Sequence, residues 1–334
     1  VNTVLISPTG STALIPWSAL PGETEGTYLL EKYAIAVLPV PQLLGSSTPA
    51  NRGEDSASML VVADIDYGAE PGAQATAVQS KRPRSDFPKT GGARVAWSPL
   101  PNARTEATGV RDSFERAFPS GELRWLRGAS ATEQGTREGL ENCRFVHLVT
   151  HGFFDEPSSA SVGDSWRGTE AAVMGTGNLG PLTLDPLLFS GLVFAGANRV
   201  SDEGQDDGIL LAIDVSVLDL RNVELAVLSA CETGLGREVS GEGVLGLQRA
   251  FQVAGAETTV TSLWKVDDAA TQQLMNMFYE NLWHGGMSKL EALRQAQLSL
   301  LRERRLRGGE DELPVTEPAT IQSWAAWVLA GDWR

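Results

Sequence analysis

Short apolar runs recur along the chain, each bounded by polar or turn-forming residues. Their continuous apolar character, without polar alternation, is typical of strands that are buried on both faces of a sheet. The clearest run, Met59–Ala63, ends at two carboxylates, Asp64 and Asp66. We predict strands at Met59–Ala63, Leu123–Leu126, Phe145–Thr150, Leu225–Ser229 and Thr258–Trp264.

The segments between these runs carry apolar residues at helical spacing. Ser130 and Glu133 have the spacing of a capping box, and Asp267 can cap the helix that follows it. We predict helices at Arg104–Phe118, Ser130–Leu140, Ile209–Leu220, Val244–Phe251, after Asp267, after Ser288 and at Ile321–Val328. Strands that alternate with helices indicate an α/β fold of parallel βαβ units, with helices on both faces of a mostly parallel sheet.

The first 57 residues have a different pattern. Val4–Ile6 and Ala13–Pro16 flank a Pro-Thr-Gly turn, which predicts a hairpin. We predict one domain over residues 1–334, with a hairpin and strand region at 1–57 and an α/β core at 58–334. Because the chain starts at Val1 inside a strand-like run, we expect it to be part of a longer chain with an upstream domain.

One long segment, Phe154–Asp207, is rich in Gly, Pro, Ser and Asp. A loop of this length inside a compact domain is usually functional or disordered. We interpret it as an activation or gating loop that contains a short strand near Leu192–Ala195.

Charge and cysteine content narrow the possible functions. The 334 residues include 27 basic and 42 acidic side chains, for a net charge of −15. This argues against contact with nucleic acid or with an anionic membrane. No run approaches the ~18 apolar residues of a membrane helix, and no signal peptide is evident. Two cysteines do not make a disulfide framework, so we expect a reducing, cytoplasmic setting.

The stretch Leu225–Gly236 carries the candidate chemistry. Its predicted strand delivers Cys231 at the carboxyl end, followed by glycines. The strand Phe145–Thr150 delivers His151 and Gly152 in the same way. Parallel neighbouring strands would bring both side chains to one sheet edge, where α/β proteins bind ligands. Cys231 then serves as nucleophile, His151 as base, and the N–H groups of Gly152 and Cys231 as oxyanion donors.

The remaining cysteine and histidines have a structural interpretation. Cys143 lies in a helix–strand connection without glycines or a base beside it. His147 lies within its strand and is expected in the core or supporting the site. His284 lies at a helix end, where it interacts favourably with the helix dipole.

A competing motif follows the cysteine. Gly241–Gly246 matches the G-x-G-x-x-G fingerprint and opens a predicted helix, which would suggest dinucleotide binding. That fingerprint must follow its strand immediately, whereas here the strand ends near Ser229. No P-loop lysine follows and no zinc-ligand spacing occurs, so we expect neither metal nor other cofactor.

Several carboxylates follow predicted strand ends: Asp64, Asp66, Asp267 and Asp268. One of them could bind a basic side chain of a substrate beside Cys231. For Asp267, the helix cap is the simpler interpretation. The segment Thr258–Lys265 could also offer an edge to an extended substrate.

Several of these segments resemble the CHAT domain, a caspase-like cysteine peptidase type found with tetratricopeptide repeats. They occur in order along nearly the whole chain: ISPTGSTALIPWSALP, LLEKYAIAVLPVP, HLVTHGFF, SACETGLG, GEGVLGLQRAF, SLWKVDD and WAAWVLAGDW. The segment Ala212-Ile-Asp-Val departs from the Thr-Ala-x-Glu style of the family, away from the two predicted catalytic residues.

The resemblance implies a caspase-like three-layer α/β/α sandwich related to separases. It also implies a His–Cys dyad, which maps onto His151 and Cys231, with Gly152 as an oxyanion donor. Separases carry a similar Trp-x-Val-x-Asp segment, whose acidic residue receives a basic P1 side chain. Here Trp264 begins that segment, and Asp267 or Asp268 would match the acid.

The family also implies a protein substrate and activation by a partner or an upstream repeat or sensor domain. Some members act in prokaryotic, antiviral defence and cleave gasdermin-like proteins. The leading hypothesis is a cysteine endopeptidase. The alternatives are a catalytically silent signalling module of the same fold and, more remotely, a nucleotide-binding enzyme.

Overall fold

The computed structural model describes residues 3–39, 57–70, 89–90, 93–94, 96–154, 186–188, 190–199, 206–230, 242–307 and 318–334. The strands are β1 Thr3–Ile6, β2 Ala34–Val37, β3 Ser58–Ile65, β4 Lys89–Thr90, β5 Ala93–Arg94, β6 Glu122–Gly128, β7 Phe145–Val149, β8 Gly152–Phe154, β9 Ser190–Val193, β10 Ile209–Leu211, β11 Leu225–Ser229, β12 Thr258–Ser262 and β13 Trp327–Gly331. The α-helices are α1 Leu29–Lys32, α2 Ala103–Ala117, α3 Glu133–Asn142, α4 Ala212–Val215, α5 Glu242–Val253, α6 Asp268–Tyr279, α7 Lys289–Arg307 and α8 Pro318–Trp324.

Eight strands form the central sheet in the order β1-β2-β13-β12-β11-β7-β3-β6. All neighbours in it are parallel except β12 and β13. The middle strands β3, β7 and β11 are buried on both faces, because alternate residues of each pack into two separate apolar clusters. This arrangement follows from their continuous apolar runs.

Helices cover both faces of the sheet. One apolar cluster combines strand residues with side chains of α2, α6, α7 and α8. The other combines the opposite strand residues with α3, α4 and α5. The predicted three-layer α/β/α class with a mostly parallel sheet is therefore confirmed.

A smaller antiparallel sheet, β10-β9-β8, adjoins the carboxyl end of β7. Its strand β8 begins only three residues after β7 ends, so the short link containing His151 joins the two sheets. Short 3₁₀-helices occur at Gly10–Leu14, Trp17–Ala19 and Pro186–Leu188, and a π-helical turn at Glu280–His284 extends α6. None of the described helices has both the length and the apolar character needed to cross a membrane.

Three predictions about elements are wrong. The hairpin at the start of the chain does not form, because β1 pairs in parallel with β2 and Gly10–Leu14 is a 3₁₀-helix. Residues 209–220 are not one helix, since Ile209–Leu211 pairs with β9 before the short α4. The end of the chain holds a strand as well as a helix, because β13 fills the gap between β2 and β12.

The edge proposed for substrate binding is also wrong for Thr258–Ser262. This strand, β12, is hydrogen-bonded to β11 on one side and to β13 on the other, so it has no free edge. The cap of α3 is Thr132, whose hydroxyl accepts from Gly135 N, and not Ser130. The cap at Asp267 and the Ser288–Glu291 contact are confirmed.

Candidate active site

The strands β7 and β11 are parallel neighbours, which is the condition for His151 and Cys231 to share one edge of the sheet. Their register pairs Phe145 with Leu225 at one end and Val149 with Ser229 at the other. His151 stands two residues beyond Val149, and Cys231 stands two residues beyond Ser229. Cys231 itself lies outside the described residues, as do Gly234, Gly236 and Gly241.

The backbones beyond the two strands also approach each other. Thr150 N donates to Ser229 O at 3.3 Å. Gly152 faces Ala230 so closely that a Cβ at Gly152 would lie 3.4 Å from Ala230 O. The residue before Cys231 therefore lies against the residue after His151.

The His151 ring is buried, with 5% of the residue exposed. Its Nε2 lies 2.7 Å from the backbone oxygen of Ser98. A carbonyl oxygen can only accept, so Nε2 carries a proton and donates it. In the neutral ring Nδ1 is then the nitrogen that can accept a proton.

Two aromatic rings from the described part of the chain pack against this imidazole. Trp97 and Tyr67 lie 5.3 Å and 5.1 Å from it between ring centroids. The backbone of His151 is also held in place, because Val193 N donates to His151 O at 3.0 Å. Burial raises the pKa of the Tyr67 phenol to about 12, so this ring stays neutral.

Burial is the main influence on His151, and it lowers the pKa of the imidazole. The Ser98 carbonyl raises that pKa, the Lys265 ammonium lowers it, and the Asp268 carboxylate raises it. Since the pKa lies below its ordinary value of 6.5, the ring is neutral at neutral pH and able to act as a base.

A cleft lies beside His151 at the carboxyl ends of β7 and β11. The space inside it is about 470 Å³, including the solvent at its mouth. It is lined by Leu100, Ala103, Glu106, Val149, Thr150, His151, Ser229, Lys265, Val266, Asp268 and Thr271. The walls are thus the first turns of α2 and α6, and the floor is the sheet.

Glu106 is a charged residue of this cleft that the sequence did not suggest. It is only 3% exposed, and its Oε1 lies 3.0 Å from Nε2 of the buried His147. His147 Nδ1 lies 3.0 Å from the Tyr279 hydroxyl. His147 therefore lies in the core, one of its two predicted places, and contacts a carboxylate that lines the cleft. Glu106 could have been noticed in the sequence as a carboxylate on the apolar stripe of α2, between Ala103 and Val110.

The predicted specificity residues are dispersed. Asp268 lines the cleft. Asp267 caps α6, where its carboxylate accepts from Ala269 N and Ala270 N at 3.1 Å.

The other two predicted specificity residues, Asp64 and Trp264, have partners of their own. Asp64 forms an ion pair of 2.7 Å with Arg104. Trp264 Nε1 donates to Gln322 O at 2.9 Å.

Cys143 is buried beside α3, and burial raises the pKa of its thiol to about 11. A thiol with such a pKa is a poor nucleophile at neutral pH. The interpretation of Cys143 as a structural residue is consistent with these surroundings.

One acidic cluster among the described residues has metal-ligand chemistry: Glu133, Asp206 and Asp207. Burial raises the pKa of Glu133 to about 7, and Arg137 contacts its carboxylate at 2.7 Å. Both oxygens of Asp206 accept backbone N–H groups, from Gln134 and Gly208. The cluster is therefore satisfied by the chain itself and connects α3 to β10.

The glycine-rich fingerprint does not have dinucleotide-binding geometry. Strand β11 ends at Ser229 and helix α5 begins only at Glu242. In that fold class the pyrophosphate site requires the helix to start at the end of its strand.

Comparisons with known proteins agree with the resemblance. Tetratricopeptide repeat protein 28 of Mus musculus is 25% identical over 286 residues, which is 83% of this chain and 10% of that protein. The Homo sapiens protein of the same name is 24% identical over the same shares. The chain thus spans about a tenth of the length of these relatives.

Among solved structures, the chain is similar to the Saccharomyces cerevisiae separase–securin complex, with a TM-score of 0.47 and 12% identity over 96% of this chain and 15% of that one. It is also similar to the Arg-specific cysteine proteinase gingipain R, with a TM-score of 0.43 and 9% identity over 84% of this chain and 47% of that one. The family model of the CHAT domain matches residues 1–332. The chain belongs to the CHAT domain family.

Proposed function

We propose that this chain is a cysteine endopeptidase that uses Cys231 as nucleophile and His151 as general base. One observation carries the proposal. His151 follows a strand that is the parallel neighbour of the strand before Cys231, and it holds a proton on Nε2 while Nδ1 can accept one. Membership in a family of caspase-like cysteine peptidases supports it further.

The proposed reaction has two stages. The Cys231 thiol passes its proton to His151 Nδ1 and attacks the scissile carbonyl carbon. N–H groups of Gly152 and Cys231 donate to the resulting oxyanion. The protonated His151 then gives its proton to the leaving amine, which produces a thioester. Water attacks the thioester, His151 takes a proton from the water and returns one to the Cys231 sulfur, and the carboxylic acid leaves.

We further propose that the cleft receives a basic P1 side chain. Among the described lining residues, Glu106 and Asp268 bring two carboxylates to the cleft, against one ammonium from Lys265. Thr271 also lines the cleft, and its buried hydroxyl meets no hydrogen-bond partner within the described part of the chain. A guanidinium or ammonium group would pair with these oxygens.

Cleavage of a peptide library tests the proposed peptidase activity. Wild type is compared with Cys231→Ala, and with Cys143→Ala as the matched control for loss of a thiol. We expect cleavage by wild type and by the Cys143→Ala variant, and none by the Cys231→Ala variant. Cleavage by the Cys231→Ala variant at the wild-type rate would contradict the assignment.

A second candidate function is a catalytically silent signalling module. It is favoured by the small exposure of His151, which is 5%. The peptidase proposal also includes regulation of this site by a partner or an upstream repeat domain. The repeat-protein relatives suggest such a domain, and substrates of the gasdermin type and a role in defence remain proposals from the resemblance.

A further inference from the structure

The carbonyl that binds His151 belongs to a segment without regular structure. Residues 96–100 precede α2 and belong to neither helix nor strand. Yet two groups on this segment contact the imidazole: the Ser98 oxygen at 2.7 Å and the Trp97 ring at 5.3 Å between centroids. Their positions therefore depend on whatever fixes this stretch of backbone.

The side chain of Asn198 fixes it. Its Oδ1 accepts from Trp97 N at 2.7 Å, and its Nδ2 donates to Trp97 O at 2.9 Å. The amide thereby pairs with both polar groups of one residue, as a neighbouring strand would. Within the described residues, no other hydrogen bond holds the backbone of Trp97.

The turn that carries Asn198 is itself anchored to the same pocket. Asn198 N donates to Tyr67 O at 2.9 Å, and Gly196 N donates to Asp66 O at 3.3 Å. Val193, just before the turn, donates to His151 O. One short segment therefore contacts all three parts of the His151 surroundings: Tyr67, Trp97 and the His151 peptide.

We infer that Asn198 is a positioning residue for His151. It holds Trp97 and Ser98 so that the Ser98 carbonyl binds the Nε2 proton and keeps Nδ1 directed to the site. Asn198 is exposed and contributes no apolar packing, so its two hydrogen bonds to backbone are what it supplies. This role rests on the proposed base function of His151, although the geometry it predicts can be measured without activity.

The primary test is the imidazole spectrum of ¹⁵N-histidine-labelled chain. The chain has only three histidines, so each signal can be assigned by single replacement. In wild type we expect a slowly exchanging Nε2 proton for His151, because it is buried and bonded to Ser98. In Asn198→Ala we expect this signal to broaden or vanish, while the His147 signals stay unchanged.

Two further variants separate positioning from general structure. Asn198→Asp has the same shape but loses the donor to Trp97 O, so it should behave like Asn198→Ala. Arg199→Ala changes the next residue on the same turn, whose guanidinium pairs with Glu70 at 3.4 Å, and should behave like wild type. In a cleavage assay, the Asn198 variants should lower kcat by roughly tenfold or more with KM nearly unchanged.

The outcomes separate this inference from the proposed function. A wild-type His151 Nε2 signal in a folded Asn198→Ala variant would overturn the positioning role. If the signal is lost but wild type cleaves no peptide, Asn198 still positions His151 and the peptidase proposal is the one that fails.

Discussion

His147 and His151, within and just after strand β7, differ in the hydrogen-bond partners of their rings. His147, within β7, has hydrogen-bond partners at 3.0 Å on both ring nitrogens, Glu106 and Tyr279. His151, just after β7, has a carbonyl on Nε2 and aromatic rings on its faces. His147 is therefore fixed in the core, whereas His151 keeps a nitrogen with which it can exchange a proton.

The first prediction at this scale concerns pH. Burial lowers the pKa of His151, so the acid limb of kcat/KM should lie below pH 6.5. Lys265→Met removes a cation that lowers this pKa, so the limb should move to higher pH. Asp268→Asn removes an anion that raises it, so the limb should move to lower pH. Shifts of both variants in the same direction would show that these charges do not act on the titrating group.

The second prediction concerns Glu106. Glu106→Gln keeps the shape and an oxygen for His147 but removes the negative charge from the cleft. Cleavage after arginine should fall by about ten- to a hundredfold relative to cleavage after a neutral residue, because a charged hydrogen bond is lost. The measurement is kcat/KM for paired peptides that differ only at P1. Equal loss for both peptides would mean that Glu106 does not contact the P1 side chain.

The candidate site is formed by the ends of strands and helices. The carboxyl ends of β7 and β11 supply the floor, and the first turns of α2 and α6 supply the walls. Helix α6 starts where it does because the Asp267 carboxylate accepts two of its first N–H groups. This cap determines where Asp268 and Thr271 lie in the cleft.

The prediction for this element separates capping from substrate binding. Asp267→Ala should lower the free energy of unfolding by about 1 kcal/mol, measured by denaturant titration. Asp267→Asn should stay close to wild type in stability, since asparagine is an equally good cap. Both variants should keep the wild-type P1 preference. A loss of preference for basic P1 residues in the well-folded Asp267→Asn variant would instead make Asp267 a substrate contact.

One mostly parallel sheet organises the molecule, and the candidate site lies where its middle strands end. The sequence predicted the middle of that sheet, because β3, β7 and β11 are continuous apolar runs separated by helical segments. It also predicted β6 and β12 as strands, but not the arrangement of the strands beyond β12. The pairing of β1 with β2 and of β13 with β12 joins distant segments, and short strands such as Trp327–Gly331 carry no periodicity of their own.

The candidate site likewise has residues that the sequence could indicate and residues that it could not. His151 could be named as a candidate because it follows a buried strand directly and precedes a glycine. Glu106 was partly predictable, as a carboxylate on an apolar helical stripe. Trp97, Ser98 and Asn198 were not, because their roles arise only when two irregular segments about a hundred residues apart meet through backbone hydrogen bonds.

Active-site labelling shows whether Cys231 is a nucleophile that His151 activates. The native chain is treated at neutral pH with a thiol-reactive peptidyl ketone carrying arginine at P1, and the labelled residue is identified by mass spectrometry. We predict a label on Cys231, much slower labelling in His151→Ala, and no label on Cys143, whose thiol has a pKa of about 11. Labelling of Cys231 at the same rate in His151→Ala, or of Cys143 in preference to Cys231, would contradict the dyad.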